Sequence, residues 1–421
     1  MAAGPAVERF LRGEGAHLEI AGIPLAPEAR VFAIAAGKAA APMAAVVERW
    51  AGDRLAAGLC VTKDGHGGSL LRFRQLETAH PVPDTRSAAA GGAALELAAQ
   101  AREGDVLLVL LSGGASSLWS RPLGRLAVSD VGAVTERLLA AGADIGELNT
   151  VRKHLTAVSG GRLARATGAG RVEVLGLSDV PGDDPAVLAS GPCAGDTTRY
   201  VDALTILSDR GLLESLPPAV LAHLEAGRAG DREESVSPED PSLERVRFTR
   251  LGSNRDACEA ARAEAEREGR AARILEDGLS GEARDAGKAL AHYARGLSPD
   301  RETVLVAGGE TTVTLCDQGR GRGGRSQELA LAAALDLEGA EGLTLLAAGT
   351  DGTDGPTDAA GAFADGETVA RGRAAGVSAR EALQANDSYR FFAAEGGHLV
   401  TGPTGTNVMD LVLIHMSGPS G

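Results

Sequence analysis

The chain has 421 residues, of which 44% are hydrophobic and 57 are glycine, and its formal net charge is −15. This length predicts two domains, and the acidic balance without a basic block excludes nucleic acid as an expected partner. No apolar run is long enough to span a bilayer and the N-terminus lacks a secretory signal, so we expect no membrane partner and a cytoplasmic location. The four cysteines have no paired spacing, which is typical of reduced thiols.

Short apolar runs alternate with alanine-rich segments along the chain, which predicts an α/β protein with a mostly parallel sheet. Continuously apolar runs such as VLLVLL predict strands that are buried on both faces. The predicted strands are 31–36, 58–62, 106–111, 172–177, 246–251, 303–307, 313–315, 343–347 and 408–414. The predicted helices are 39–50, 87–103, 129–141, 149–166, 256–268, 282–295 and 326–337.

One charged segment breaks this alternation. Residues 226–242 read AGRAGDREESVSPEDPS, with proline and glycine and no hydrophobic period. Such a composition is typical of a junction between domains. We therefore expect an N-terminal domain of residues 1–240 and a C-terminal domain of residues 241–421.

Two loops that follow predicted strands have the composition of an anion site. Ser112, Gly113, Gly114 and Ser116 follow VLLVLL, and they offer backbone N–H groups and hydroxyls at the start of a helix. Lys38 lies in the first turn of another helix, where a cation opposes the helix dipole by about 0.3–1 kcal/mol unless an anion is near. The alternatives are a tight turn with a serine cap and a solvated surface lysine.

A glycine-rich segment, GRGRGGRSQE, permits two interpretations. Gly319, Gly321 and Gly324 fit the GxGxxG pattern of dinucleotide-binding proteins. The arginines between and after them are too bulky for close packing around a pyrophosphate and suit a bidentate grip on carboxylate or phosphate. We favour anion binding, with Arg325 as its main candidate.

Acidic residues in two further loops indicate a divalent cation. Mg²⁺ takes one or two carboxylates together with phosphate oxygens and water, although carboxylates in such loops also cap turns. Zinc is not expected because no HxxxH or HxH spacing occurs, and a serine hydrolase is not expected because no GxSxG motif occurs. The acidic candidates are Asp179, Asp183, Asp184, Asp351, Asp354 and Asp358.

The order of the longer motifs resembles that of the class II glycerate kinases. The resemblance extends from about residue 31 to residue 413 and includes AAGKAA, HPVPD, LLSGGASSL, LNTVRKHLTAVSGGRLA, LSDVPGDDPAVLASGP, AGGETTV, GGRSQELAL, AAGTDGTDGPTDAAGA and TGPTGTNVMDL. It implies a Rossmann-like N-terminal domain, a smaller C-terminal MOFRL domain and an active site in the cleft between them. It also implies transfer of the ATP γ-phosphate to the 2-hydroxyl of glycerate with a divalent cation.

The resemblance also implies roles for particular residues. Lys38 and Arg325 match residues regarded as part of the family's active site. We expect the loop Ser112–Ser116 to meet the ATP phosphates, Asp179 to bind Mg²⁺, and Asp351 or Asp354 to orient the substrate hydroxyl or accept its proton. Weaker candidates for the lining of the site are Asn254, Glu310, Thr311, Thr312 and Asn407.

Two other functions stay open on the sequence. Members of the family were earlier labelled hydroxypyruvate reductases, so an NAD(P)H-dependent reductase is the alternative. A non-catalytic sensor of nucleotides or organic anions is a third reading. A homodimer is the default expectation for an enzyme of this kind.

Overall fold

The computed structural model describes residues 3–178, 180, 183–316 and 321–418. The chain divides between Leu251 and Gly252 into two compact units, whereas the composition places the junction at residues 240 and 241. The charged segment 226–242 hydrogen-bonds within the first unit: the N–H of buried Val236 donates to the carbonyl of Gly160, and its carbonyl accepts from the N–H of Asp196.

The first unit contains nine strands and nine helices among its described residues. The strands are β1 (Leu11–Arg12), β2 (Glu19–Ile20), β3 (Ile23–Pro24), β4 (Val31–Ala36), β5 (Leu55–Lys63), β6 (Phe73–Thr78), β7 (Val106–Leu111), β8 (Arg171–Leu177) and β9 (Val246–Gly252). The helices are α1 (Ala3–Glu8), α2 (Ala40–Ala51), α3 (Thr85–Ala98), α4 (Ala115–Leu118), α5 (Val128–Ala140), α6 (Ile145–Lys153), α7 (Arg162–Ala166), α8 (Tyr200–Asp209) and α9 (Pro218–Arg228).

The main sheet of this unit has the strand order β6-β5-β4-β7-β8-β9. The neighbours from β6 to β8 are parallel. Counted along the chain, these six strands have the order 3-2-1-4-5-6 of a Rossmann-like sheet. The order reverses between β4 and β7, so the loops after these two strands meet at the switch point, where ligands bind in open α/β sheets.

Helices cover both faces of this sheet. Alternate residues of β4, β5, β7 and β8 pack with α3 and α7 in one core, while α2 contacts β4, β5 and β7 and also packs on α1. Every residue of β4 and β7 is buried, as their continuous apolar character predicts. Helices α5, α6, α8 and α9 form a separate hydrophobic cluster centred on Leu138, Val151 and Leu207.

The second unit contains one mixed sheet with helices. Its strands are β10 (Ala271–Leu279), β11 (Thr303–Gly309), β12 (Leu343–Gly349), β13 (Gly361–Asp365), β14 (His398–Leu399) and β15 (Asp410–Met416), and its helices are α10 (Asn254–Arg267), α11 (Ala283–Arg295), α12 (Arg325–Leu337), α13 (Thr368–Ala374), α14 (Ala379–Gln384) and α15 (Ser388–Glu395). The strand order is β10-β11-β15-β12-β13-β14. Only β10 and β11 pair in parallel; the other neighbours are antiparallel.

Strand β15 determines which loops of the second unit share an edge. It lies antiparallel between β11 and β12, so its first residue meets the last residues of both neighbours. In this register Asp410 is opposite Gly309 on one side and Gly349 on the other. The loops after β11 and β12 and the segment before β15 therefore lie at one edge of the sheet.

Several details of the prediction are wrong. The second sheet is mixed, because β15 returns antiparallel into its centre. Residues 313–315 form no strand, so the predicted strand ahead of the GxGxxG pattern, which a dinucleotide fingerprint requires, is not found among the described residues. Residues 149–166 are divided between α6 and α7, because Gly160 and Gly161 adopt positive φ values. Within the described residues, no helix has the length and apolar character needed to cross a membrane.

Candidate active site

The switch point of the first unit joins Lys38 to the loop after β7. The N–H of Lys38 donates to the carbonyl of Gly113 at 2.9 Å, and the N–H of Ala39 donates to the buried Ser112 Oγ at 3.1 Å. Gly37 has φ +126°, and a side chain at this position would collide with Ser112. The close approach of the two loops therefore requires glycine at position 37.

Gly113 and Gly114 present backbone donors at this point. Within the part of the chain that the structure describes, neither N–H makes a hydrogen bond. Gly114 has φ +87°, and a Cβ atom there would lie 3.0 Å from the His80 ring and 3.5 Å from Lys38 Cγ. The Lys38 side chain thus runs beside these backbone donors of the loop. Unpaired N–H groups next to a lysine are suited to an anion.

A chain of polar side chains continues from this loop. Ser116 Oγ lies 2.9 Å from Ser190 Oγ, and Ser190 Oγ donates to Asn149 Oδ1 at 2.7 Å. Ser190 and its neighbour Ala189 both have positive φ, 58° and 54°, which is uncommon for residues with side chains and is found where surrounding structure enforces it. The sequence prediction includes Ser116 but misses Asn149 and Ser190, although both lie within the motifs of the family resemblance.

In the second unit, Arg325 begins α12 and is held by two carboxylates. Its Nε and Nη2 donate to the two oxygens of Asp410 at 2.6 and 3.2 Å, and its Nη1 donates to Glu310. Burial would lower the pKa of Arg325, but the charges of Asp410 and Glu310 outweigh that effect and raise it. Arg325 and Glu310, which the sequence analysis names separately, are therefore brought together, and Asp410, which the prediction omits, joins them.

Asp351 lies beside the same group. A Cβ atom at Gly349 would lie 3.3 Å from Asp351 Oδ1 and 3.5 Å from Asp410 Oδ1, so both carboxylates border the end of β12. Asp351 Oδ1 also accepts from the N–H and the hydroxyl of Thr353, at 3.0 and 3.1 Å. The second unit thus gathers three carboxylates around one guanidinium group.

Asp354 holds the start of α12. One of its oxygens accepts from the N–H of Ser326 at 3.0 Å, and the other accepts from the N–H and the side-chain amide of Gln327 at 2.8 and 2.9 Å. Burial raises the pKa of Asp354 to about 6, with a further contribution from Asp410, although the N–H donors act in the opposite direction. Both oxygens are engaged, so this carboxylate fixes the helix that carries Arg325.

The weaker candidates have different surroundings. The Asn254 amide donates to the carbonyls of Val408 and Asp410 at 2.8 and 2.9 Å, which ties α10 to the start of β15. Thr312 is exposed and its hydroxyl donates to the carbonyl of Gly281 at 3.2 Å. Asn407 is buried near the start of β15, and its side chain makes no hydrogen bond with any described residue.

The acidic loops do not form a metal-binding cluster of protein side chains. In the ranges 3–178, 180, 183–316 and 321–418, no three His, Cys, Asp or Glu side chains are arranged to hold a metal ion. Asp183 pairs with Arg250 at 2.5 Å, and Asp184 accepts from the N–H of Ala186 at 2.8 Å, as expected of turn residues. Asp179, the predicted ligand of Mg²⁺, lies outside the described residues.

Comparison with known proteins agrees with this arrangement. Residues 1–225 match the family described as a domain of unknown function, DUF4147, and residues 303–410 match the MOFRL family. The glycerate 2-kinase of Pyrococcus horikoshii is 40% identical over 415 residues, which cover 97% of this chain and 90% of that protein. The chain belongs to the glycerate kinase family.

Other members of the glycerate kinase family support the same assignment. The crystal structure of glycerate kinase from Thermotoga maritima matches with a TM-score of 0.77 and 40% identity, over 92% of both chains. A protein of Agrobacterium vitis named putative hydroxypyruvate reductase is 41% identical over 394 residues, covering 92% of this chain and 88% of that protein. The resemblance drawn from the sequence motifs is confirmed, as is the α/β fold in two units with a Rossmann-like first sheet.

Proposed function

We propose that this protein transfers the γ-phosphoryl group of ATP to the 2-hydroxyl of D-glycerate and releases ADP and 2-phosphoglycerate. The observation that carries the proposal is the loop pair at the switch point, where Lys38 runs beside the N–H groups of Gly113 and Gly114, which make no hydrogen bond with any residue that the structure describes. Membership of the glycerate kinase family supports the choice of glycerate. Phosphoryl transfer depends mainly on positioning and on the neutralisation of charge.

In the first unit we assign the phosphates of ATP to this loop pair. The N–H groups of Gly113 and Gly114 and the hydroxyl of Ser116 are donors for phosphate oxygens. The ammonium group of Lys38 stabilises the charge on the transferring phosphoryl group. Their geometry is fixed before substrate binds, because Gly37 packs directly against Ser112, and a preorganised donor set reduces the cost of reaching the transition state.

In the second unit we assign the acceptor to the group around Arg325. Asp410 occupies the Nε edge of the guanidinium group, so Arg325 offers its remaining Nη hydrogens to an oxygen of the substrate. Asp351 receives the proton of the 2-hydroxyl as its oxygen attacks the γ-phosphorus and the bond to the β-phosphate oxygen breaks. Asp354 is unsuited to this step because both of its oxygens accept hydrogen bonds from α12. We assign supporting roles to Asn254 and Asp354.

Magnesium, when bound with ATP, neutralises charge on the phosphates. A cation of this kind needs only one or two carboxylates from the protein, which is consistent with the lack of a larger cluster among the described residues. Asp179 is our proposed ligand. Every other role in the mechanism is assigned to side chains and N–H groups of the chain itself.

The proposal is tested by incubating the protein with MgATP and D-glycerate and following the products by phosphorus NMR. We expect one new phosphomonoester signal, that of 2-phosphoglycerate, in step with ADP. Formation of ADP at the rate of an ATP-only control would refute the kinase, and a signal of 3-phosphoglycerate would refute the position of transfer. Omission of Mg²⁺ with added chelator should abolish turnover.

The reductase alternative has one specific support, the name of the relative from Agrobacterium vitis. Against it, the described residues 313–316 form no strand ahead of the glycine-rich segment, and a preceding strand is the context that a nicotinamide fingerprint needs. Oxidation of NADH or NADPH with hydroxypyruvate is the discriminating assay, and we expect no oxidation above the rate without protein. A non-catalytic sensor would bind ATP without turnover.

A further inference from the structure

Two arginines of the first unit have surroundings that disfavour their charge: Arg162 is buried and Arg152 is half-buried. Burial lowers the pKa of Arg152 to about 10 and also lowers that of Arg162. Both remain protonated at neutral pH, so each places a positive charge in surroundings that disfavour it.

The two cations differ in the contacts they make with the residues that the structure describes. Arg162 donates to the carbonyl of Lys153 at 2.7 Å and to that of Ser159 at 3.2 Å. The neighbouring cation Lys153 is paired with the buried carboxylate of Asp196 at 3.2 Å. The guanidinium group of Arg152, in contrast, has no hydrogen bond or ion pair with any residue that the structure describes.

The position of Arg152 links it to the polar chain of the candidate site. It lies on α6 three residues after Asn149, so the two side chains are neighbours on one face of the helix. Asn149 contacts the turn of residues 188–190 through Ser190 and the carbonyl of Val187. Ser190 in turn contacts Ser116, at the end of the Ser-Gly-Gly loop.

We propose that Arg152 is a substrate-binding residue that holds an oxyanion beside Ser116, Ser190 and Asn149. A partly buried cation without a counter-charge is costly, and a negatively charged ligand offsets that cost. A planar guanidinium group suits a bidentate contact with a carboxylate or a phosphate. The ligand is therefore the carboxylate of the hydroxy acid or a phosphate of the nucleotide. The choice between these two sources rests on the proposed function.

The test compares Arg152→Gln and Arg152→Lys with Arg137→Gln. Arg137 lies on α5, which packs against α6, and it also lacks a partner among the residues described, but it is not a neighbour of Asn149 on α6. KM is measured for D-glycerate at saturating MgATP and for MgATP at saturating D-glycerate. We expect Arg152→Gln to raise one of the two KM values at least tenfold, Arg152→Lys to restore part of it, and Arg137→Gln to stay within twofold of wild type.

Which KM changes identifies the source of the oxyanion. An effect on glycerate assigns the carboxylate, and an effect on MgATP assigns a phosphate. Both KM values within twofold of wild type would overturn the proposal. A fall in the melting temperature of Arg152→Gln would also overturn it, because it would give a structural role to a cation that has no partner among the described residues.

A binding measurement separates this inference from the proposed reaction. Calorimetric titration with D-glycerate, with a non-hydrolysable ATP analogue and with inorganic phosphate requires no turnover. If the protein failed to phosphorylate glycerate, the kinase proposal would fall, while loss of binding of any of these probes in Arg152→Gln would still support an oxyanion site at Arg152. Equal binding by wild type and variant, or no binding by wild type, would overturn it.

Discussion

The two candidate clusters present opposite chemistry to a ligand. The first unit offers N–H groups, hydroxyls and cations at the switch point of a parallel sheet. The second unit holds Arg325 between Glu310 and Asp410, with Asp351 beside Asp410, at the edge of a mixed sheet. One cluster is therefore built to attract negative charge and the other to accept hydrogen bonds and protons. A phosphoryl transfer needs both, because the donor is a polyanion and the acceptor must lose a proton.

The largest expected effect is on turnover, from Lys38→Ala in the first unit. Loss of this cation should lower kcat by about 10²–10³-fold, as removal of one preorganised donor does in other enzymes. The free energy of unfolding should change by less than about 0.5 kcal/mol. Steady-state assays and urea denaturation measure the two effects. A kcat within fivefold of wild type would remove Lys38 from the chemistry.

Arg325→Ala should differ from Lys38→Ala by affecting turnover and stability together. The substitution leaves Asp410 and Glu310 close to each other without their shared cation. We expect a loss of about 1–3 kcal/mol in the free energy of unfolding and a fall in kcat of about 10²-fold.

The double variant Arg325→Ala, Asp410→Ala is the control for this difference. It should regain part of the lost stability, because one of the unpaired carboxylates is gone, but no activity. If the single and double variants unfolded at the same urea concentration, the ion pair would have no part in the stability of the second unit.

The pH dependence of stability should report on Asp354. Its pKa of about 6 in the folded protein exceeds the ordinary value of 3.8, so its contribution to stability is present below about pH 4 and is lost as pH rises through about 6. We therefore expect the stability of wild type relative to Asp354→Asn to decline between pH 4 and pH 7. Urea denaturation at intervals of one pH unit measures this decline.

A matched control is Asp358→Asn, on the loop that follows the same strand. Tyr389 donates to Asp358 at 2.7 Å and lowers the pKa of this exposed carboxyl group. The contribution of Asp358 to the free energy of unfolding has the opposite sign and is lost as pH falls. The Asp358→Asn variant should therefore still lose stability between pH 4 and pH 7 as wild type does. A flat difference between wild type and Asp354→Asn would contradict the burial that we describe for Asp354.

The smallest effect is expected in the polar chain of the first unit. Ser116→Ala and Ser190→Ala each remove one side of the same hydroxyl pair, and each should reduce kcat/KM by about 3–10-fold, the equivalent of one net hydrogen bond. The double variant should be no worse than either single one, because the pair is lost in all three. Additive losses would mean that the two serines act separately.

The sequence predicts strands best where both faces of the strand are buried. β4 and β7 are found with their observed bounds because VFAIAA and VLLVLL are continuously apolar. β6 and β10 are missed, because FRQLET and AARILEDGL include charged and half-buried residues that give no clear period. Residues 313–315 are predicted as a strand, but the N–H groups of Thr314 and Cys316 donate to the side chains of Glu282 and Asn386 instead of to the backbone of a neighbouring strand.

The candidate site is predicted as single residues rather than as contacts. Lys38 and Arg325 are predicted because a cation in a glycine-rich loop at a helix start is unusual. Asp410 is missed because it reads as the first residue of an apolar strand, and its partner Arg325 is 85 residues away. Ser190 and Asn149 are missed for the same reason, since a hydrogen bond across 41 residues leaves no local pattern.

The central place of β15 has a consequence for the synthesis of the protein. Strands β10 to β13 leave the ribosome before it, yet the sheet has no connection between β11 and β12 until Asp410–Met416 is inserted. Until β15 is inserted, the second unit is therefore incomplete, with the edges of β11 and β12 unpaired, and such a state is prone to aggregation. Arg325 gains its main counter-ion in the same event. The sheet is thus completed, and Arg325 joined to Asp410, in one late step of folding during synthesis.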